Sequence, residues 1–234
     1  MAEGYKVSGD ISNDELVDLA WIKTIESPGA NVRELDVYPM LREWIQRIAP
    51  VDLLDLGCGQ GVCSDKINLD GRSYTGVDRS KTLISRANEI YRSQNRNFLV
   101  GNAYQIPADD SFFDAIFSIN LIHLLEDLTT ATKEMARVLK PGGHFFMVTA
   151  NPDSYELWID FYAETNLVGK RLEGISRQGD QPATKDVLFL HTNADITSTF
   201  NSNGLIFRNT SLFREHATKK DCRYYLAFEG QKSP

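Results

Sequence analysis

The stretch VDLLDLGCGQG, residues 51–61, decides the fold. Its first half is an apolar run of strand length, Val51, Leu53, Leu54 and Leu56, with Asp55 near its end. Its second half sets Gly57, Gly59 and Gly61 at every second position, which predicts a buried strand entering a tight turn. Glycine takes positive φ readily and lets a backbone come close to a ligand. Residues 62–69 read as a helix whose amide groups face that turn. A small, polar, nucleotide-like ligand is the expectation for such a place.

Downstream, short apolar runs alternate with amphipathic stretches. Strands are predicted at 73–77, 97–101, 113–119 and 144–150, with helices at 81–92 and 127–140. The second helix carries Leu128, Ala131, Met135, Val138 and Leu139 on one face, and Lys140, Pro141, Gly142 and Gly143 stop it. This alternation means βαβ units and a parallel sheet covered on both faces. Right-handed crossovers gather the strand ends on one edge, where ligands bind at the switch point. Asp78 closes the second strand 21 residues after Gly57, where a carboxylate can accept two hydrogen bonds from a ribose diol. Asn102 and Ala103 follow the third strand, and Asn120 and Leu121 the fourth.

Upstream, residues 1–50 hold two helical patterns, 13–26 and 36–48, separated by SPGAN at 27–31. Leu41, Trp44, Ile45 and Ile48 form a packing stripe on the second. Trp21, Arg33 and Tyr38 lie where the chain could fold over the glycine turn. Residues 151–190 fall outside the alternating pattern: Asn151 leads into the aromatic residues Tyr155, Trp158, Phe161 and Tyr162. The tract KRLEGISRQGDQPATKD, 170–186, then reads as a mobile lid. A helix at 194–203, a strand at 205–212, the polar turn 214–221 and a hairpin partner at 222–229 complete the chain.

Composition narrows the function. The 234 residues carry 25 Lys and Arg against 32 Asp and Glu, a net charge of −7. With a pI near 5.2, the chain lacks the electrostatic footprint of a nucleic-acid binder. Apolar runs fall short of the roughly 20 residues that span a bilayer, and the start MAEGYKVSGD has no apolar leader, so the reading is cytoplasmic with no membrane partner. Cys58, Cys63 and Cys222 have neither CxxC spacing nor nearby histidines, and HxH, HExxH and DxDxDG patterns are absent, so no metal is expected.

Four segments carry a resemblance: LLDLGCGQG (53–61), YTGVDRS (74–80), GNAYQIPADDSFFDAIFSINLIHLL (101–125) and RVLKPGG (137–143). In order and spacing they resemble class I S-adenosylmethionine-dependent methyltransferases, in the small-molecule branch that includes ubiquinone-biosynthesis-like enzymes. The resemblance implies an α/β fold with a Rossmann-like, seven-stranded, mostly parallel sheet, helices on both faces and the last strand antiparallel. It implies S-adenosylmethionine as cofactor, S-adenosylhomocysteine as product and a small-molecule methyl acceptor.

Carried over by position, Asp55, Gly57, Cys58 and Gly59 hold the methionine part, and Asp78 grips the ribose with Arg79 flanking the adenine. Asn102 and Ala103 form the adenine pair, and Asn120 and Leu121 pass the sulfonium. Asn102 departs from the family's usual Asp, although its carbonyl oxygen can still accept a hydrogen bond. The whole chain reads as one methyltransferase domain: a helical cap (1–50), a cofactor half (51–150), an inserted acceptor-site segment (151–190) and a C-terminal helix with a hairpin (191–234). Trp21, Arg33, Tyr38, Asn151, Tyr155 and Trp158 are the acceptor-site candidates, and His123 and His191 the candidate bases. A dinucleotide-dependent oxidoreductase and a noncatalytic cofactor-binding scaffold are the alternatives.

Overall fold

The computed structural model describes residues 12–26, 33–159, 162–176, 183–213 and 225–234. The predicted breaker at 27–31, Phe161, residues 177–182 of the predicted lid, the turn at 214–221, Cys222 and Tyr224 lie outside them. Among the described residues the strands are β1 (Asp52–Leu56), β2 (Ser73–Asp78), β3 (Arg96–Val100), β4 (Phe113–Ile119), β5 (Leu139–Ala150), β6 (Tyr162–Val168), β7 (Arg171–Ser176), β8 (Thr184–Phe189), β9 (Leu205–Phe213) and β10 (Tyr225–Lys232). The helices are α1 (Asn13–Glu26), α2 (Tyr38–Ile48), α3 (Cys63–Lys66), α4 (Lys81–Tyr91), α5 (Leu128–Val138), α6 (Tyr155–Ile159) and α7 (Asn193–Ser202).

Seven strands form one sheet in the order β3-β2-β1-β4-β5-β10-β9. The pairs from β3 through β5 are parallel, and β10 runs antiparallel to both β5 and β9. This is the expected sheet, and it differs from the dinucleotide-binding order 3-2-1-4-5-6, in which no antiparallel strand is inserted. Strand alternation divides the core. Leu54, Leu56, Ile116, Phe145 and Met147 pack with Met135 of α5 and Phe200 of α7. Leu53, Phe117, Phe146 and Val148 pack with Trp44 of α2 and Ile84 of α4. Asp55 shares the parity of Leu53, so the sheet's pleat turns this acid toward the α2 and α4 side. At the antiparallel corner Phe207 stacks on Phe228 at 4.8 Å, and Phe200 meets Phe228 edge-on at 5.4 Å. Such ring pairs add about 0.5–1.5 kcal/mol each beyond burial.

Three local expectations are corrected. The helix predicted at 62–69 is the single turn α3, because Ile67 is already extended and Asn68 and Asp70 form a turn before Gly71. Its first amides do not face the glycine turn's mouth, since Ser64 and Asp65 donate to the carbonyls of Gly61 and Val62. The helix predicted at 127–140 ends at Val138, where Leu139 turns extended into β5. Lys140 therefore sits on a strand, and its Nζ pairs with Asp114 at 2.8 Å.

The third correction concerns 151–190. The described residues of this segment form a one-turn α6 and the antiparallel sheet β6-β7-β8, where a helix and an irregular stretch were expected. Leu172 and Gly174 of β7 face inward, and a Cβ on Gly174 would stand 2.5 Å from the ring of Tyr162. Glycine is what seats that aromatic ring on the sheet. Glu173 pairs across strands with Lys185 at 2.7 Å and along its own strand with Arg171.

Candidate active site

The glycine turn lies at the end of β1, beside the end of β4, at the point where the strand order reverses. Gly57 and Cys58 both donate their amides to Val77 O, at 2.7 and 3.1 Å, which ties the turn to β2. Gly57, Gly59 and Gly61 take φ of +80°, +54° and +80°. The amide of Gly59 donates to Asp78 Oδ2 and that of Ser80 to Asp78 Oδ1, each at 2.9 Å. Asp78 is thus a strap between the glycine turn and the start of α4. Ser80 Oγ then caps α4, accepting from the Leu83 amide at 3.0 Å, and donates to Asp18 Oδ2 of α1 at 2.5 Å.

Helix α1 lies on top of this turn. The Trp21 indole nitrogen stands 3.2 Å from where a Cβ on Gly59 would be, so the glycine makes room for the ring. The Arg33 guanidinium covers the other part of Trp21, 5.4 Å from its centroid, a cation–π distance. Glu26, at the end of α1, is held by Arg86 of α4 and by Gln60 Nε2 at 3.4 Å. Together Trp21, Arg33, Tyr38, Asp55, Gly57–Gly59 and Asn120 line a cavity of about 40 Å³, room for a few water molecules. Trp21, Arg33 and Tyr38, expected where the chain could fold over the glycine turn, are brought against it.

Acid dominates the electrostatics. Asp55 is fully buried and accepts the Tyr74 hydroxyl at 2.5 Å. Burial, partly offset by Tyr74 and reinforced by the Asp78 charge, pushes its carboxyl up to about 7. Burial likewise holds Asp78 and Asp18 above the ordinary carboxylate range, and it pushes both the Cys58 and Cys63 thiols up, so neither is a ready nucleophile. For Asp55 the sign is clear. Between the ordinary value near 4 and about 7, the folded protein holds a proton that the unfolded chain has released. This contribution to stability is complete below about pH 4 and is lost as pH rises through about 7. The loss is on the order of a few kcal/mol. Asp55→Asn is expected to remove that slope while keeping an acceptor for Tyr74. Thermal melts from pH 4 to 8 should show wild type losing ground to the variant as pH rises; parallel curves would show that Asp55 titrates normally.

The other expected residues divide. Arg79 is exposed at the strap. Asn102 Oδ1, the oxygen expected to serve adenine, accepts the Tyr104 amide at 2.8 Å in a local turn, and Ala103 is buried in the core. Asn120 adopts a left-handed backbone at φ +61°, and Leu121 packs over Gly57. His123 is buried: Nδ1 lies 3.1 Å from Thr149 Oγ1 and accepts the Ala150 amide at 3.5 Å. Burial, then the neighbouring His191, lowers its pKa to about 4, so the ring is neutral at ordinary pH. His191 Nε2 donates to Leu125 O at 2.6 Å, and Tyr155 donates to the carbonyl of His191. Asn151 caps the turn at Pro152–Ser154 through the Asp153 amide. Neither histidine lines the cavity at the glycine turn, and the Trp158 side chain lies outside the described residues.

Sequence reasoning missed Asp18, Ser80, Glu26 and Gln60. Asp18, Trp21 and Ile25 recur at i, i+3 and i+7 on α1, a one-face signal that was available. Gln60, between Gly59 and Gly61, gives no such signal.

The sheet order, the glycine turn at the switch point and the acid ending β2 define a class I, Rossmann-like methyltransferase fold. Residues 54–147 match the family model described as Methyltransferase domain. The phthiotriol/phenolphthiotriol dimycocerosates methyltransferase of Mycobacterium tuberculosis is 27% identical over 154 residues, 62% of this chain and 57% of that one. The ubiquinone biosynthesis O-methyltransferase of Coxiella burnetii is 34% identical over 101 residues, 42% of this chain and 43% of that one. The matches therefore span only about half the length of these curated relatives. Among solved structures, an S-adenosylmethionine-dependent methyltransferase from Clostridium acetobutylicum aligns with a TM-score of 0.69 at 15% identity, covering 93% of this chain and 98% of that one. No helix among the described residues is long and apolar enough to cross a membrane.

Proposed function

We propose that the protein is a cytoplasmic S-adenosylmethionine-dependent methyltransferase acting on an oxygen, nitrogen or carbon atom of a small molecule. One observation carries the reading: the cavity at the switch point, lined by the glycine turn after β1 and by Asn120 after β4, beneath the acid that ends β2. Its chemistry suits an amphipathic donor, because the Asp55 carboxyl, the Gln60 and Asn120 amides and Arg33 are set among apolar groups such as Trp21, Ile25 and Ile119. Its size in this structure does not, so α1 has to lift Trp21 away from Gly59 to admit one. Asp55 and the turn would hold the methionine part, Asp78 the ribose hydroxyls and Arg79 the adenine edge, while Asn120 and Leu121 border the reacting end. Unpaired thiols at Cys58 and Cys63 accord with a reducing compartment.

The bound donor would supply an already activated methyl group, so the chain has only to align the acceptor and keep water out. Helix α1 serves the second task. The β6-β7-β8 sheet, with Asn151 and Tyr155 in the segment that leads into it, is the acceptor wall on this reading. His123 is held neutral with Nδ1 engaged, which suits a positioning part better than proton abstraction. Calorimetry should give binding of S-adenosylmethionine and S-adenosylhomocysteine and none of NAD; NAD binding without either sulfur ligand would overturn the reading. Transfer of a labelled methyl group to a metabolite pool separates an enzyme from a binding scaffold.

A further inference from the structure

The small sheet β6-β7-β8 has β6 at its edge, with the outer side of that strand open among the described residues. Residues 164–168 are all exposed. Cross-strand register sets Leu167 opposite Leu172 and Leu172 opposite Leu188, so the three leucines form one row on one face of the sheet. Leu188 is 4% exposed and Leu172 1%, whereas Leu167, the last of the row, is 52% exposed. The apolar row therefore stops in solvent, at an open edge. That edge is also undefended: Thr165-Asn166-Leu167-Val168 carries neither charge nor proline, and the register shift of the strand lies before it, between Tyr162 and Thr165. Val168 pairs with Arg171 across the two-residue turn Gly169-Lys170. Val168 and Asn166 are then the positions bonded to β7, and the amides and carbonyls of Thr165 and Leu167 turn outward.

We infer that a second copy of this chain covers the edge, β6 pairing antiparallel with β6 of the other copy about a two-fold axis at Leu167. A strand meets itself in this way with donors facing acceptors, and the contact closes after two copies. Centred on Leu167, the pairing continues the row, so that Leu188, Leu172 and Leu167 are followed by the same three leucines of the second copy. It sets Glu164 of each copy toward Lys170 of the other and puts no like charges face to face. It also leaves the shifted stretch before Thr165 outside the overlap. A strand of another sequence has no such built-in match.

Disulfide trapping tests the register. Across a hydrogen-bonded antiparallel pair the Cα atoms stand about 5.5 Å apart, within disulfide reach, whereas a residue one place off the axis meets its own copy at roughly 8 Å, beyond it. Leu167→Cys oxidised with diamide is expected to cross-link at least about 10-fold faster than Val168→Cys, with wild type alongside to account for the native cysteines. Chance collision gives the reverse order, because Val168 is the more exposed at 69%. Equal rates, or a faster Val168→Cys, overturn the pairing. The overlap falls short of the roughly 800 Å² per partner of a stable dimer, so association depends on concentration. Sedimentation of wild type should show the mass rising toward a dimer by about 1 mM protein, and Leu167→Lys, which brings two ammonium groups together on the axis, should stay monomeric with an unchanged melt. A wild type that remains monomeric leaves the edge to an unlike strand and overturns the proposal. So does a dimer that Leu167→Lys fails to weaken, because its interface then lies elsewhere.

Discussion

Asp78→Ala is expected to lower affinity for S-adenosylhomocysteine by at least about 100-fold, the sum of two hydrogen bonds to a charged acceptor. Position alone would make this a pure binding variant. The strap geometry adds a second effect, because the same carboxylate accepts the Gly59 and Ser80 amides. Alanine leaves both donors without their partner, at a cost of about 2–4 kcal/mol in stability. Asp78→Asn separates the two effects. It keeps one acceptor for the strap but cannot accept twice from a ribose diol and still hold both amides, so it should melt between wild type and alanine while binding as poorly as alanine. Calorimetry and thermal melts on the pair are the check. Unchanged affinity in Asp78→Ala would remove the ribose assignment, and an unchanged melting temperature would remove the strap.

Gly61→Ala should be the most damaging single methyl in the turn. Gly61 holds φ at +80°, where an L-residue costs about 1–2 kcal/mol. An added Cβ would also stand 2.6 Å from the Phe98 ring and 3.0 Å from Ala87. Both neighbours belong to the core between the sheet and α4, so overpacking adds about 1–3 kcal/mol. The expected loss is about 2–5 kcal/mol, measured by denaturant unfolding. Phe98→Leu in the same chain should return part of it by relieving the clash but not the backbone strain. The third glycine of the motif is thus a packing residue, whereas the second makes room for Trp21.

How much of this could be read beforehand follows from the forces involved. The parallel half was legible because its inner strands β1 and β4 are buried on both faces and the first runs into glycine, which leaves a strong pattern at 51–61 and 113–119. The three-stranded sheet was not legible. Its middle strand reads RLEGIS, and what holds it is a glycine seating Tyr162 and charges pairing across strands, neither of which has a period. The helix expected at 62–69 failed because Asn68, Asp70 and Gly71 supply turn chemistry that outweighs a short helical pattern. At the site, the acid ending β2 was legible from its distance to Gly57. Its partnership with Ser80 and, through it, with Asp18 was not, since that depends on where α1 comes to rest. Asn102, placed by family position, accepts the Tyr104 amide through Oδ1, a local turn contact that leaves that oxygen a second lone pair.

Helix α1 packs on α4 at one side and on β8 at the other, and β8 in turn packs on the short turn Ile122–Leu124 that follows Asn120. On the proposed function, the cover of the donor compartment and the wall of the acceptor compartment are therefore in mechanical contact. The two ligands share one door. Raising α1 to exchange spent donor for fresh disturbs the sheet that holds the acceptor, so an acceptor loaded first would be shaken loose by the donor's arrival. On the proposed function, a donor that has to raise α1 would therefore bind before the acceptor.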